Sequence, residues 1–363
     1  MKKNPVVLFC AAGGPGGVNL SRSLETATPR PRLIGCDSSP HYLQLARCHR
    51  RFLVPRWTPE RDFVATIADL VTRCKVDLLL PNNSLEGRLY AAHHKKLGAR
   101  VLLPSPETFD LGASKWLSYQ KWLQAGLPVP FTRLISRPQD LHDIFDTHQS
   151  RPIWVRGAGI PGKGIGAAAL PCRTVEQAIS WVDFWEGWGF MAASEYLPGD
   201  NLTWLSVWHE GQLIASQGRQ RDAYIIPHVS PSGVTGAPAI SHTVSRADIN
   251  TIGEQAVRVI DPAYSGPAFV DFKCDAAGAP QITEINVGRF GTTHNFYSAA
   301  GANFPGLVLR LALGLSLPDW VKPRDVLPPD LYWIRTLDAG PVLISAKDLA
   351  RSEKRLRATP AKP

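Results

Sequence analysis

Apolar and polar positions along the chain fall into distinct regimes. Through residues 1–105, short apolar runs (VVLFCAA, RLIGCD, DLLLPNNS, ARVLLPS) alternate with stretches of helical period. Runs of this length bounded by turn residues read as buried strands, and their alternation with helices predicts an open, mostly parallel sheet covered by helices. Residues 106–135 read as a helix pair, with Ser105 and Ser114 as caps and Gly126 and the prolines after it as the stop. Residues 151–240 read as strands joined by glycine-rich loops, 241–260 as a helix, and 265–290 as two strands around a turn at DAAGAP. The helix FPGLVLRLALG and a Pro-rich stretch from Leu317 to Pro329 lead into a small terminal piece. No internal repeat is present.

Length and composition narrow the class. A chain of 363 residues suits two or three domains, and 44% hydrophobic against 20% charged residues suits a globular fold with a sizeable core. No apolar run is long enough for a membrane span. The opening MKKNPVVLFCAAGG has a short apolar run that flows into a glycine turn, so it reads as a first core strand rather than a signal peptide, and the expected location is cytoplasmic. Cys10, Cys36, Cys48, Cys74, Cys172 and Cys274 form no CxxC pair and sit in or beside apolar runs, which reads as reduced, mostly buried thiols. Of the net charge of +9, the segment 347–363 carries +4, and this tail is expected to be solvated or frayed. No basic stretch is interleaved with aromatics, so no nucleic-acid partner is expected. Trp181, Trp185 and Trp188, at roughly helical spacing, read as a packed helix face or an oligomer contact.

Two stretches compete for the chemistry. In LFCAAGGPGGVNLSRSL (8–24), Gly14 and Gly16 match the first two positions of a dinucleotide fingerprint, and Asp37 stands where a ribose-binding acid could. The third glycine is absent, Asn19 stands in its place, and Pro15 fills the slot between the first two. The cluster reads first as a tight strand-to-helix turn and second as an oxidoreductase's NAD(P) site. The second stretch is PAFVDFKCDAAGAPQITEINVGRFGTT (267–293). Strand alternation puts Ile282, Glu284 and Asn286 on one face, and Phe269, Asp271 and Lys273 on one face of the partner strand. If the strands pair, Asp271, Glu284 and Asn286 converge into an all-oxygen set suited to Mg²⁺; the bland reading is two solvated acids on a surface hairpin. Upstream, RPIWVRGAGIPGKGIGAAAL carries Arg156 at a strand end and Lys163 within a glycine loop that can close over phosphates, or serve as a plain turn.

These pieces, with ASEYLPGDNLTW between them, resemble in order and spacing the ATP-grasp superfamily, in particular the carbamoyl-phosphate-synthase-like carboxylate–amine ligases, over residues 5–315. The resemblance implies an N-terminal open parallel α/β (pre-ATP-grasp) domain, 1–105, followed by a two-lobed ATP-grasp domain: linker helices 106–135, a small lobe 136–205 with the glycine-rich loop, and a large lobe 206–316 with the metal-binding hairpin. A C-terminal extension, 317–363, ends in the basic tail. It implies ATP and Mg²⁺ (two ions) as cofactors. It implies that Lys115, Arg156 and Lys163 bind phosphates, that Glu195 and Leu197 form the adenine hinge, and that Asp271, Glu284 and Asn286 hold the metal. Asn201 stands where relatives carry a ribose-binding acid. Arg219 and Arg221 stand where relatives bind an acyl phosphate or a substrate carboxylate, and NVGR places the arginine after the metal asparagine one position late, at Arg289. Asn82 and Glu86, in LLLPNNSLEGR, would face the cleft.

The activity implied is ATP-dependent joining of a carboxylate to an amine through an acyl phosphate, with small-molecule partners and room for a homodimer. His242 and His294 are candidates for accepting the amine's proton, each with a structural reading beside it, and His228 lies in a Pro/Gly/Ser-rich loop that could line the pocket. The rival readings are a non-catalytic ATP-binding homologue and the NAD(P)-dependent oxidoreductase; carbamoyl phosphate synthesis ranks low, since the chain holds one grasp unit.

Overall fold

The first apolar runs become strands because turn residues bound each of them. Val6–Phe9 (β1), Arg32–Asp37 (β2), Arg50–Leu53 (β3) and Leu78–Leu80 (β4) form a sheet in the order β3-β2-β1-β4, parallel throughout. Pro15–Glu25 (α1) and Glu60–Cys74 (α2) make two of the crossovers that parallel pairing demands, and Ser84–Leu97 (α3) follows β4. This is a computed structural model, and it describes residues 4–148, 152–160, 168–230, 233, 236, 238–337 and 346–357.

The helix pair is Pro106–Ala113 (α4) and Lys115–Gln124 (α5). The Oγ of Ser105 accepts from the Thr108 N–H at 3.3 Å and that of Ser114 from the Leu117 N–H at 3.2 Å, so each cap satisfies an end donor. A small antiparallel sheet follows, built from Thr132–Ile135 (β5), Ile153–Gly157 (β6), Leu170–Cys172 (β7) and Met191–Glu195 (β8) in the order β5-β8-β6-β7. Its helices are Pro138–Thr147 (α6) and Val175–Phe184 (α7). The second corrects the all-strand reading of 151–240: the Thr174 side chain caps it by accepting from Gln177 N–H, and Ala178 and Val182 lie buried on one face. Beside that face Trp181, partly buried on the same core, meets the exposed Phe184 and Trp185, both at 5.9 Å between ring centroids.

The large sheet runs β13-β12-β9-β10-β11-β14, antiparallel, from Asn201–His209 (β9), Gln212–Tyr224 (β10), Pro238–Val244 (β11), Gly266–Cys274 (β12), Pro280–Val287 (β13) and Tyr332–Ile334 (β14). Ala247–Ile260 (α8), Asn295–Ala299 (α9) and Phe304–Leu313 (α10) pack on it. A final helix, Ala346–Leu356 (α11), corrects the frayed-tail expectation for its described part. Leu356 and Ser352 are buried, Gln44 Nε2 donates to Ser352 Oγ at 3.0 Å, and Arg357 bridges to Leu53 of β3. Burial of Leu356 against the N-terminal sheet outweighs the repulsion of the basic run.

The N-terminal sheet and the large sheet share one core, in which Val7, Phe9 and Leu80 join Leu205, Val207 and Phe304. The small sheet has its own, around Ile135, Ile153 and Met191. All six cysteines are free thiols, four of them buried. No helix among the described residues is long and apolar enough to cross a membrane.

Candidate active site

Asp275 makes the hairpin: its Oδ1 accepts from the N–H groups of Ala277 and Ala279, both at 2.9 Å, and Gly278 takes φ +82°. The turn sets the register that puts Asp271 directly opposite Glu284. Strict alternation fails at one place. A β-bulge between Asp271 and Phe272 leaves Thr283 as the extra residue, so Ile282 turns into the core beside Ile285 and Val287 and does not share the face of Glu284 and Asn286.

The large sheet delivers the polar side chains in rows. One row crosses four strands as Glu284, Asp271, Thr203 and Arg219; the next holds Lys273, Asn201 and Arg221; on the other side lie Asn286, Phe269 and Leu205. Thr203 Oγ1 donates to Asp271 Oδ1 at 2.7 Å, and Arg221 reaches the same oxygen at 3.1 Å. Lys115, at the start of α5, pairs with Glu284 Oε2 at 2.9 Å, and Arg156 at the end of β6 donates to the Thr283 carbonyl at 2.9 Å. Arg289 donates to Asn286 Oδ1 and stands 5.2 Å over the Phe269 ring. The residue inserted before it is Gly288, whose φ of +68° bends the chain so that Arg289 returns to the cluster.

Burial opposes ionisation of Glu284, but Lys115 and Arg156 outweigh it and hold its carboxyl at about 2. Asp271 moves the other way: burial raises it, Arg221 opposes, and the neighbouring Glu284 charge raises it further. Two carboxylates side by side, one resisting ionisation, leave room for another cation on their open side. With the Asn286 amide oxygen they make a hard oxygen set that fits Mg²⁺. Among the described residues no three His, Cys, Asp or Glu side chains gather as a metal site, and this set reaches three donors only through its amide.

Beside the pair lies a cleft of about 220 Å³, lined by Trp154, Arg156, Glu195, Leu197, Asn201 and Phe272 together with Asp271 and Glu284. The Glu195 carboxylate accepts from Phe131 N–H at 2.9 Å, fixing the chain where the small sheet hands over to the large one. Sequence reading missed Trp154 and Tyr196 in this wall; Trp154 is two residues from Arg156 on one strand, so alternation carried that signal. Lys163 and its glycine loop lie outside the described residues.

Several expected cleft residues are elsewhere. Asn82 Nδ2 donates to the Cys10 carbonyl at 2.8 Å. Glu86 is buried in the first turn of α3, because Asn83 caps that helix by accepting from Glu86 N–H at 2.8 Å and so draws the side chain inward. His242 is held by Asp222 at 2.9 Å and stacked on Tyr332 at 4.9 Å, and His228 is exposed. Asp37 is engaged by the N–H groups of Gly13 at 3.2 Å and Ser39 at 3.0 Å, and Asn19 donates to the Thr292 carbonyl at 2.6 Å. The glycine cluster is therefore a turn clamped against the large sheet, and nothing in its geometry favours a dinucleotide.

Burial raises the Glu86 carboxyl from 4.5 to about 8, against the Asn83 hydrogen bond and with the help of the Asp37 charge. Between those values the folded protein holds a proton that the unfolded chain has lost, so the stabilisation is full below 4.5 and disappears as pH rises towards 8. Glu86→Gln is expected to raise the melting temperature at pH 8 more than at pH 5, which thermal melts at the two pH values would check; an equal shift at both would refute it.

No family model matches the chain. Among solved structures it is similar to an L-amino acid ligase from Bacillus licheniformis (TM-score 0.62, 16% identity, covering 86% of this chain and 75% of that one). It is also similar to N5-carboxyaminoimidazole synthetase from Staphylococcus aureus (TM-score 0.64, 14% identity, 89% and 81%) and to biotin carboxylase from Campylobacter jejuni (TM-score 0.63, 14% identity, 86% and 72%). The fold these likenesses define is the ATP-grasp fold. In sequence the chain is 25% identical over 209 residues to a D-alanine–D-alanine ligase of Laribacter hongkongensis (strain HLHK9), a match covering 55% of this chain and 66% of that protein, just under two thirds of its length.

Proposed function

We propose that the protein is an ATP-dependent carboxylate–amine ligase. The observation that carries this reading is Asp271 facing Glu284 across one hairpin, with Asn286 beside them, beneath a cleft walled by Trp154, Arg156, Leu197 and Phe272. The fold is similar to that of an L-amino acid ligase, and part of the sequence to a D-alanine–D-alanine ligase, which supports the class and leaves the substrates to experiment.

In this reading Trp154, Leu197 and Phe272 pack on the base, while Arg156 and Lys115 neutralise phosphate charge. A divalent ion held by Asp271, Glu284 and Asn286 supplies further charge neutralisation when bound. An oxygen of the acid substrate attacks the γ-phosphorus and ADP leaves; the amine nitrogen then attacks the acyl carbon, inorganic phosphate leaves, and the nitrogen loses a proton. Arg219 and Arg221 face the developing charge from β10, with β9 between them and the strand of Asp271. The chain contributes positioning and electrostatics rather than a covalent intermediate on one of its own side chains.

The test is ADP release with ATP and Mg²⁺ across pairs of acids and amines. The expected result is release that requires both partners of a pair. Nucleotide binding with no release for any pair would leave a non-catalytic homologue in its place.

A further inference from the structure

Each side chain of the oxygen set on the hairpin is held by one cation of the chain itself. Lys115 pairs with Glu284 Oε2 at 2.9 Å, Arg221 pairs with Asp271 Oδ1 at 3.1 Å, and Arg289 donates to Asn286 Oδ1. Further contacts tie the set together: Thr203 Oγ1 donates to Asp271 Oδ1 at 2.7 Å, and Asn286 Nδ2 donates to Glu284 Oε1 at 3.3 Å. Arg156, on the Thr283 carbonyl, and Arg219, in the row of Asp271, stand beside them. Positive side chains therefore outnumber the two carboxylates.

That balance decides what the cluster takes first. The carboxylates offer a divalent ion net positive surroundings as long as Lys115, Arg221 and Arg289 stay on their partners. Repulsion between like charges about 4 Å apart in a half-buried site changes affinity by on the order of 10-fold or more. The cations leave readily only for other anions. Arg221 has 15% of its side chain exposed, and parting it from Asp271 without a replacement is costly. Its Nε is buried and has no partner among the described residues, so the guanidinium has a donor to spare for a second anion. Lys115 begins α5 and borders Arg156, so its flexible stem can carry the ammonium from Glu284 towards a phosphate.

Resting on the metal set of the ligase reading, we propose that Lys115, Arg221 and Arg289 compete with the divalent ion: they hold the oxygen set against a bare ion and release it when nucleotide phosphate takes them as counter-charges. The coupling between metal and nucleotide then resides in these side chains, and by linkage each ligand raises the affinity of the other by the same factor.

The test is Mn²⁺ binding by the full-length protein, read from the paramagnetic resonance of free Mn²⁺, without ADP and with it, after correction for Mn²⁺ held by ADP in solution. Lys115→Met and Arg221→Met are each expected to bind Mn²⁺ alone on the order of 10–100-fold more tightly than the parent protein and to lose most of the gain that ADP confers. Lys115→Arg keeps the charge, and Lys121→Met removes an exposed charge from the same helix; both are expected to stay within a few-fold of the parent. A cooperative thermal melt would establish that each variant is folded. Mn²⁺ affinity that is unchanged or lower in Lys115→Met and Arg221→Met would overturn the proposal, as would an equal gain in Lys121→Met or no Mn²⁺ binding even with ADP. ADP release keeps the two readings apart. Tighter Mn²⁺ binding in the variants, with no turnover for any acid and amine, keeps the competition and removes the ligase. Turnover with Mn²⁺ affinities indifferent to the substitutions does the reverse.

Discussion

Glu284→Gln is expected to slow ADP release by on the order of 10²–10³, the loss seen when one preorganised electrostatic contact at a reacting centre is removed. The substitution keeps the shape of a side chain on β13 whose strand neighbours Ile285 and Val287 hold the core, so the hairpin is retained. What changes is charge. Glu284 is held ionised by Lys115 at 2.9 Å and faces Asp271 across the strand pair. As glutamine it leaves Lys115 and Arg156 without their counter-charge and the oxygen set with one carboxylate. The expected signature is a fall in turnover together with a higher Mg²⁺ requirement, measured by coupled ADP assay over a Mg²⁺ titration. Turnover within a few-fold of the parent protein would remove the metal role from this hairpin.

The second large effect is on stability. Gly13→Ala is expected to cost about 3 kcal/mol, as overpacking against backbone does. A Cβ there falls 1.7 Å from the Tyr42 carbonyl oxygen, and neither chain segment can yield without disturbing the exit of β2. Gly17 is nearly as tight, at 2.4 Å from the Ala11 carbonyl oxygen, whereas Gly14 and Gly16 meet nothing nearer than 3.5 and 3.6 Å. Alanine at 14 or 16 should therefore be close to neutral in denaturant melts. The contrast discriminates between readings, because the fingerprint of a dinucleotide site uses the positions that tolerate a side chain, and the turn uses those that do not. Strong loss at 14 and 16 with tolerance at 13 and 17 would reverse this assignment.

Much of the architecture was legible because local signals and tertiary packing agree. The four-glycine turn, the caps at Ser105 and Ser114 and the Asx turn at Asp275 are all short-range chemistry, and each sits where the sequence places it. The pairing of Asp271 with Glu284 follows from that turn. The bulge at Thr283 does not, since nothing in QITEIN distinguishes an extra residue from a regular pleat until Arg156 is seen to take the Thr283 carbonyl. Helix α7 was signalled only by the helical spacing of Trp181, Trp185 and Trp188, because Val, Ile, Trp and Phe favour strands in isolation, although Thr174 offered a cap. The docking of Leu356 on the N-terminal sheet is a long-range contact that no local pattern encodes. His294 looked like one lone histidine among others; its burial beside Arg219, with Nε2 lacking a partner among the described residues, exists only once two distant segments meet.

The division of the apolar interior has a mechanical consequence. Because the block made of the N-terminal and large sheets is fused through common side chains, while the small sheet is sealed on its own, a shift of one against the other would open neither apolar interior.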